Sequence, residues 1–156
     1  MMKRSLALVA LLAAVVVGAT VAHAGGKKQK VKVTDTAQTR TLMPGPGGNG
    51  VISTGTIEDK KYGTGALIVT IESAAPGTTT SDYTATVFYK RGSVSGKGAA
   101  TATPQSDGSI SYTGTFTITR GTGAFKGAKG KATLTGSSPA NDTQFTTLTL
   151  TGTVIP

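Results

Sequence analysis

The sequence predicts an all-β protein, folded as a single eight-stranded antiparallel β-barrel. Three observations carry this. No stretch after residue 24 shows helical periodicity. Apolar and polar residues alternate with period two along several segments. The connections between those segments are short and rich in Gly, Pro, Ser, Asn and Asp, which joins antiparallel neighbours, because parallel crossovers need more chain.

The first segment is not part of that fold. The chain begins Met-Met-Lys-Arg-Ser, stays apolar or small from Leu6 to Val21, and reads Ala22-His23-Ala24 before Gly25. A basic start, an apolar run and a small-x-small site predict a secretory signal peptide cleaved after Ala24, giving a secreted or periplasmic protein. The run is short for a membrane span, and no span is expected after cleavage. No cysteine follows it to carry a lipid anchor. The expected organisation is a signal peptide at 1–24, a basic arm with a weak first strand and a Gly/Pro loop at 25–50, and the barrel domain at 51–156.

The strands follow in order. Residues 31–42 are the first, with the weakest alternation, after the cationic run Lys27-Lys28-Gln29-Lys30-Val31-Lys32. The loop 43–50 is Gly- and Pro-rich and reads either as a lid over one mouth or as a linker. Strands are then expected at 51–58, 65–73, 83–91, 94–103, 109–119, 128–136 and 145–154. In the fourth, Tyr83, Ala85, Val87 and Tyr89 oppose Thr84, Thr86 and Lys90, with Phe88 out of pattern. In the sixth, Ile110, Tyr112, Gly114, Phe116 and Ile118 oppose a row of Ser and Thr. The seventh sets Ala128, Gly130, Ala132 and Leu134 against Lys129, Lys131 and Thr133; the eighth sets Leu148, Leu150 and Val154 against threonines. Each has one wet face and one buried face. Closing eight such strands into a barrel removes the exposed sheet edges.

Composition excludes much chemistry. There is no Cys and no Trp, and His23, the one histidine, leaves with the signal peptide. Thiolate nucleophiles, Ser-His-Asp triads, His/Cys zinc sites and disulfides are therefore ruled out of the mature chain. No metal or other cofactor is expected. The formal net charge of +9 admits an anionic polymer, an anionic membrane or nucleic acid as partner. Stacking aromatics are sparse and no recognition helix exists, so no specific nucleic-acid partner is expected. The glycine-rich stretch Arg120–Gly136 invites comparison with a phosphate-binding loop. It fails the Walker pattern, because Phe125 stands at the glycine position and Ala132 at the Ser/Thr position, and a strand follows instead of a helix. Its glycines read as hairpin and bulge residues.

The same stretch, "YTGTFTITRGTGAFKGAKGKATLTG" (112–136), resembles the hallmark hairpin of the allene oxide cyclase and dirigent-protein barrels. Thr119, Gly121, Gly123, Phe125, Gly127, Ala128 and Gly130 fit that pattern, and Arg120 replaces the first glycine of its pair. The likeness extends to "SDYTATVFYKRG" (81–92), "YGTGALIVTIE" (62–72) and "TTLTLTGTV" (146–154). The resemblance implies an eight-stranded antiparallel barrel with a central apolar cavity, often trimeric. Activity does not follow from a fold. The resemblance places Leu67 where the plant cyclase carries an internal cysteine. On the first strand, where that enzyme has its catalytic Glu and Asn, this chain offers only Asp35.

Two contents of the barrel stay open at this stage. Small residues at Gly96, Gly98, Ala100, Gly130 and Ala132 leave room for a small apolar ligand, or Tyr83, Tyr112 and Phe116 cross the lumen and fill it. The cavity candidates are Leu67, Tyr83, Tyr89, Arg91, Tyr112 and Phe116, with Arg120 at a strand end. No pair of carboxylates is expected to meet, so paired-acid chemistry has no support. The threonine rows (113–119 and 147–153) read as wet strand faces, with ice or polysaccharide binding as the alternative. The expected function is a secreted small-molecule-binding barrel without evident catalytic machinery. The alternative is an isomerase or cyclase that acts by shaping an apolar substrate; no catalytic residue is assigned.

Overall fold

The computed structural model of the protein describes residues 31–42, 51–72 and 79–155. The expected signal peptide, the expected basic arm before Val31 and the Gly/Pro loop expected at 43–50 lie outside the described residues. Eight strands form: β1 (Val31–Leu42), β2 (Val51–Asp59), β3 (Gly63–Ile71), β4 (Thr80–Tyr89), β5 (Gly92–Pro104), β6 (Ile110–Gly121), β7 (Lys129–Ser138) and β8 (Phe145–Ile155). Each pairs antiparallel with the next, and β8 returns to β1, closing the barrel. The closing strand β1 precedes residue 51, so the barrel begins at Val31. Among the described residues no helix is long and apolar enough to cross a membrane.

Alternation sets which residues face the lumen. Ala37, Ile57, Leu67, Tyr83, Ala85, Val87, Phe116 and Leu134 are buried and pack as one cluster. Burying such side chains contributes about 1.5–3 kcal/mol for each large aliphatic or aromatic one. Phe88, out of phase in the sequence, points outward and is 48% exposed. The turns after β2, β4 and β6 share one end of the barrel, termed lower here, with the start of β1 and the end of β8. The turns after β5 and β7 share the upper end with the ends of β1 and β3.

The glycine-rich segment between β6 and β7 is a stopper for the lower end. A short 3-10 turn, Gly123–Phe125, carries Phe125 back under the barrel, where it is 2% exposed. Phe125 joins Val94 and Ala128 in a second buried cluster, against Tyr62, Tyr89, Ile118 and Val154. The fold-back needs glycine at two places. Gly123 has φ +56, and a Cβ on Gly121 would strike the Phe125 carbonyl oxygen. The structure places a ring here, not a phosphate.

Candidate functional site

The lumen holds two chambers, separated by a belt of Ile57, Val87, Phe116 and Leu150, which line both. The upper chamber has a volume of about 160 Å³. Leu67, Val69, Ile71, Ala85, Ala100, Leu134 and Leu148 form its walls, and Thr39, Thr41, Ser53, Ser81 and Thr146 supply hydroxyls toward its mouth. Ser138 Oγ lies 2.8 Å from Thr146 Oγ1 and donates to the Tyr112 hydroxyl at 3.3 Å, which ties the polar groups on that side to one another. An apolar cavity of about 150 Å³ holds a benzene-sized molecule, so this chamber fits one small ring or a short chain.

Tyr83 and Phe116 stack nearly parallel, with ring centroids 6.2 Å apart and 9° between planes. The Tyr83 hydroxyl donates to the Thr115 carbonyl at 2.9 Å. These rings occupy the space that two of the small residues leave. A Cβ on Gly96 would stand 2.5 Å from Phe116 Cζ, and one on Gly98 would stand 2.8 Å from the Tyr83 hydroxyl. The expectation of open space at Gly96, Gly98 and Gly130 is therefore corrected: the carbonyls of Thr117, Thr115 and Thr153 close on them, and the Phe116 ring and Tyr83 hydroxyl also crowd the first two. Room remains at Ala100 in the upper chamber and Ala132 in the lower one. Rings therefore fill part of the lumen and space remains in the rest.

The lower chamber, about 60 Å³, is where the structure departs furthest from expectation. Asp35 on β1 and Asp59 at the end of β2 both face it, together with Tyr62, Tyr89 and Phe125. The β1–β2 register sets Thr36 opposite Glu58, which brings the next inward pair, Asp35 and Asp59, face to face. Their carboxyls are hydrogen-bonded to each other. Burial, reinforced by the Asp59 bond and charge, pushes Asp35 up to about 8, so it carries the proton of the pair at neutral pH. Burial opposes ionisation of Asp59 too. The bond from Asp35, the backbone N–H groups of Tyr62 and Lys61 (each 2.6 Å from Asp59 Oδ1) and the Lys61 charge outweigh it and hold Asp59 below the usual carboxylate range. Asp35 Oδ1 and the Tyr62 hydroxyl are buried without a partner among the described residues. Burial and the two nearby carboxylates raise Tyr89, keeping it a neutral phenol. The chamber therefore offers a protonated acid beside an anchored carboxylate.

The sequence-predicted residues divide accordingly. Leu67, Tyr83, Tyr112 and Phe116 line the upper chamber; Tyr89 and, on its other side, Phe116 line the lower. Arg91 does not face the lumen. β4 stops at Tyr89, and Arg91 sits exposed in the turn that Gly92 closes with φ +145. Arg120 is turned outward as well. A register shift sets Ser95 against Arg120 but Gly96 against Ile118, so a bulge flips the phase at this strand end. The expectation that no carboxylates meet is overturned by Asp35 and Asp59. Continuing the β2 alternation through Ser53, Gly55 and Ile57 puts Asp59 inside, which was the available signal. Its place before Lys60-Lys61 disguised it as a turn residue.

Comparison with known proteins bears on the fold. No family model matches the chain, and no curated protein matches it. Among solved structures, the chain is similar to a pterocarpan synthase dirigent protein. The likeness has a TM-score of 0.58 at 14% sequence identity and covers 83% of this chain and 97% of that one. The two share a fold; the barrel is of the dirigent type.

Proposed function

We propose that this dirigent-type barrel is an exported protein that binds one small, mostly apolar molecule in its upper chamber. The observation that carries the reading is an apolar-walled chamber of about 160 Å³, ringed by hydroxyls at its mouth, inside a closed barrel. Its size selects the ligand. It is smaller than the roughly 300–1,000 Å³ of sites for drug-sized ligands, so a single ring or a short chain fits. Export rests on residues 1–24, and a mature mass beginning at Gly25 tests it. The binding test is thermal unfolding with monocyclic phenols and short fatty acids, on the wild type and Ala100→Leu. Ligand at about 100 times Kd adds roughly 2.7 kcal/mol to the wild type. The leucine fills the chamber and removes that gain. No shift with any compound, or an equal shift in both proteins, refutes the reading.

A second reading, a cyclase or isomerase, is favoured by the lower chamber. Asp35 is a half-buried, protonated acid whose Oδ1 is buried and unpartnered, beside an ionised Asp59. Such a pair lends a proton to a polar group on a bound molecule and holds the charge that results. The similar structure is that of a protein described as a pterocarpan synthase, which gives the reading its direction. Turnover that is lost in Asp35→Asn while ligand stabilisation persists selects this reading over simple binding.

A further inference from the structure

Charge is divided between the two ends of the barrel. The lower turns carry Lys60, Lys61, Lys90, Arg91 and Lys126, all exposed. The lower part of the wall carries Lys32, Lys97, Arg120, Lys129 and Lys131, also exposed. Of the acids near this end, Asp35 and Asp59 face inward, which leaves Glu58 as the outward one. The upper end holds Glu72, Asp82, Asp107 and Asp142 with one cation, Arg40, which is bound to Asp142 at 2.7 Å. That contact is the one ion pair among the described residues; of the lower cations, Lys61 acts on the inward Asp59, and the others have no ion-pair partner.

The strand register arranges part of this charge. Lys97, Thr117, Lys131, Thr153 and Lys32 are successive cross-strand partners on the outside of β5, β6, β7, β8 and β1. Neighbouring strands lie about 4.8 Å apart, so lysines recur on every second strand at about 10 Å along this row. The next row up is Ala99, Thr115, Thr133, Thr151 and Thr34, and the one after is Thr101, Thr113, Thr135, Thr149 and Thr36. One wall is therefore a grid of hydroxyls bordered by a line of cations, without an acid or an aromatic ring in those rows.

We propose that this wall, β5 to β8 with β1, binds an acidic polysaccharide. The lysine line meets the acid groups with charge-assisted hydrogen bonds, and the threonine grid meets the sugar hydroxyls, which both donate and accept as threonine does. Other polyanions use features this surface lacks. Single-stranded nucleic acid stacks on aromatic rings, and duplex DNA takes a helix or ribbon into its groove. A lipid surface takes up apolar side chains, whereas Tyr62 and Phe125 at the lower turns pack into the barrel. The wall lies on the outside of the barrel, and only Lys131 and Thr153 of its rows also border the lower chamber.

The experiment measures binding of the full exported chain to polygalacturonate and dextran sulfate, with neutral dextran, duplex DNA and phosphatidylserine vesicles as the other arms. The expected result is binding to one or both acidic glycans, none to neutral dextran, and affinity that falls linearly on a log–log salt plot. Lys97→Glu/Lys131→Glu on the wall lowers glycan affinity at least tenfold more than Lys60→Glu/Lys61→Glu, which changes the charge equally at the same end. Thr115→Val/Thr135→Val keeps every charge and still weakens glycan binding about threefold or more, with any residual DNA binding unchanged. Equal losses from the two lysine pairs, no effect of the valines, or tighter binding to DNA or vesicles than to the glycans overturns the proposal. All the substituted residues are exposed, and coincident melting curves confirm that each variant folds.

Discussion

Asp35→Asn should stabilise the protein, by an amount that depends on pH. The folded-state value of Asp35 is about 8 against an ordinary 3.8. An acid whose folded value is raised leaves the folded state holding more protons than the unfolded one between those two limits. Stability therefore falls as pH climbs from about 4 to 8, and the penalty is constant beyond. At about 1.36 kcal/mol per unit, the full shift corresponds to roughly 5–6 kcal/mol. Asp35 is only partly sheltered, and screening by solvent brings the expected figure to roughly 2–3 kcal/mol at pH 8. Asparagine has the same shape, carries no charge, and keeps a donor for Asp59. Urea unfolding of both proteins from pH 4 to pH 9 measures the difference. The curves should coincide near pH 4, diverge through pH 8 and run parallel above. A difference independent of pH, or a variant less stable at pH 8, refutes the reasoning that Asp35 is a half-buried acid kept protonated by desolvation and, secondarily, by Asp59.

Two other outcomes follow from the packing. Phe125→Ala removes the stopper, which is 2% exposed against Tyr62 and Tyr89; chemical denaturation should show a loss of about 3–5 kcal/mol. Gly98→Ala drives a Cβ into the Thr115 carbonyl and toward the Tyr83 hydroxyl; a loss of roughly 1–3 kcal/mol is expected in thermal melts, together with a changed near-UV tyrosine signal.

The strands were legible because period two survives wherever one face is wet. Each of the eight forms within about three residues of its expected ends, even β1, whose alternation is weak but whose buried Val33, Ala37 and Thr39 keep the phase. The lumen was less legible. A run of small residues says that something approaches closely, but not whether that is space, a ring or a carbonyl. A neighbouring-strand carbonyl closes on Gly96, Gly98 and Gly130 alike, and at the first two the Phe116 ring and the Tyr83 hydroxyl approach as well. Arg120 went astray through one bulge, since a single extra residue reverses every later side chain. The aspartate pair was hidden for a different reason. Asp35 and Asp59 are 24 positions apart in the chain and meet only through the β1–β2 register, which pattern within a single strand does not reveal.

The claim that a small apolar molecule occupies the upper chamber is tested most directly by methyl NMR during titration with a monocyclic phenol. Saturable shifts are expected at Leu67, Val69, Leu134 and Leu148, which line that chamber. Outward Leu42 and Ile68, at 52% and 42% exposure, should stay unmoved, and Ala100→Leu should abolish the response. Shifts confined to Leu42 and Ile68, or none at the lining methyls at any concentration, would contradict it.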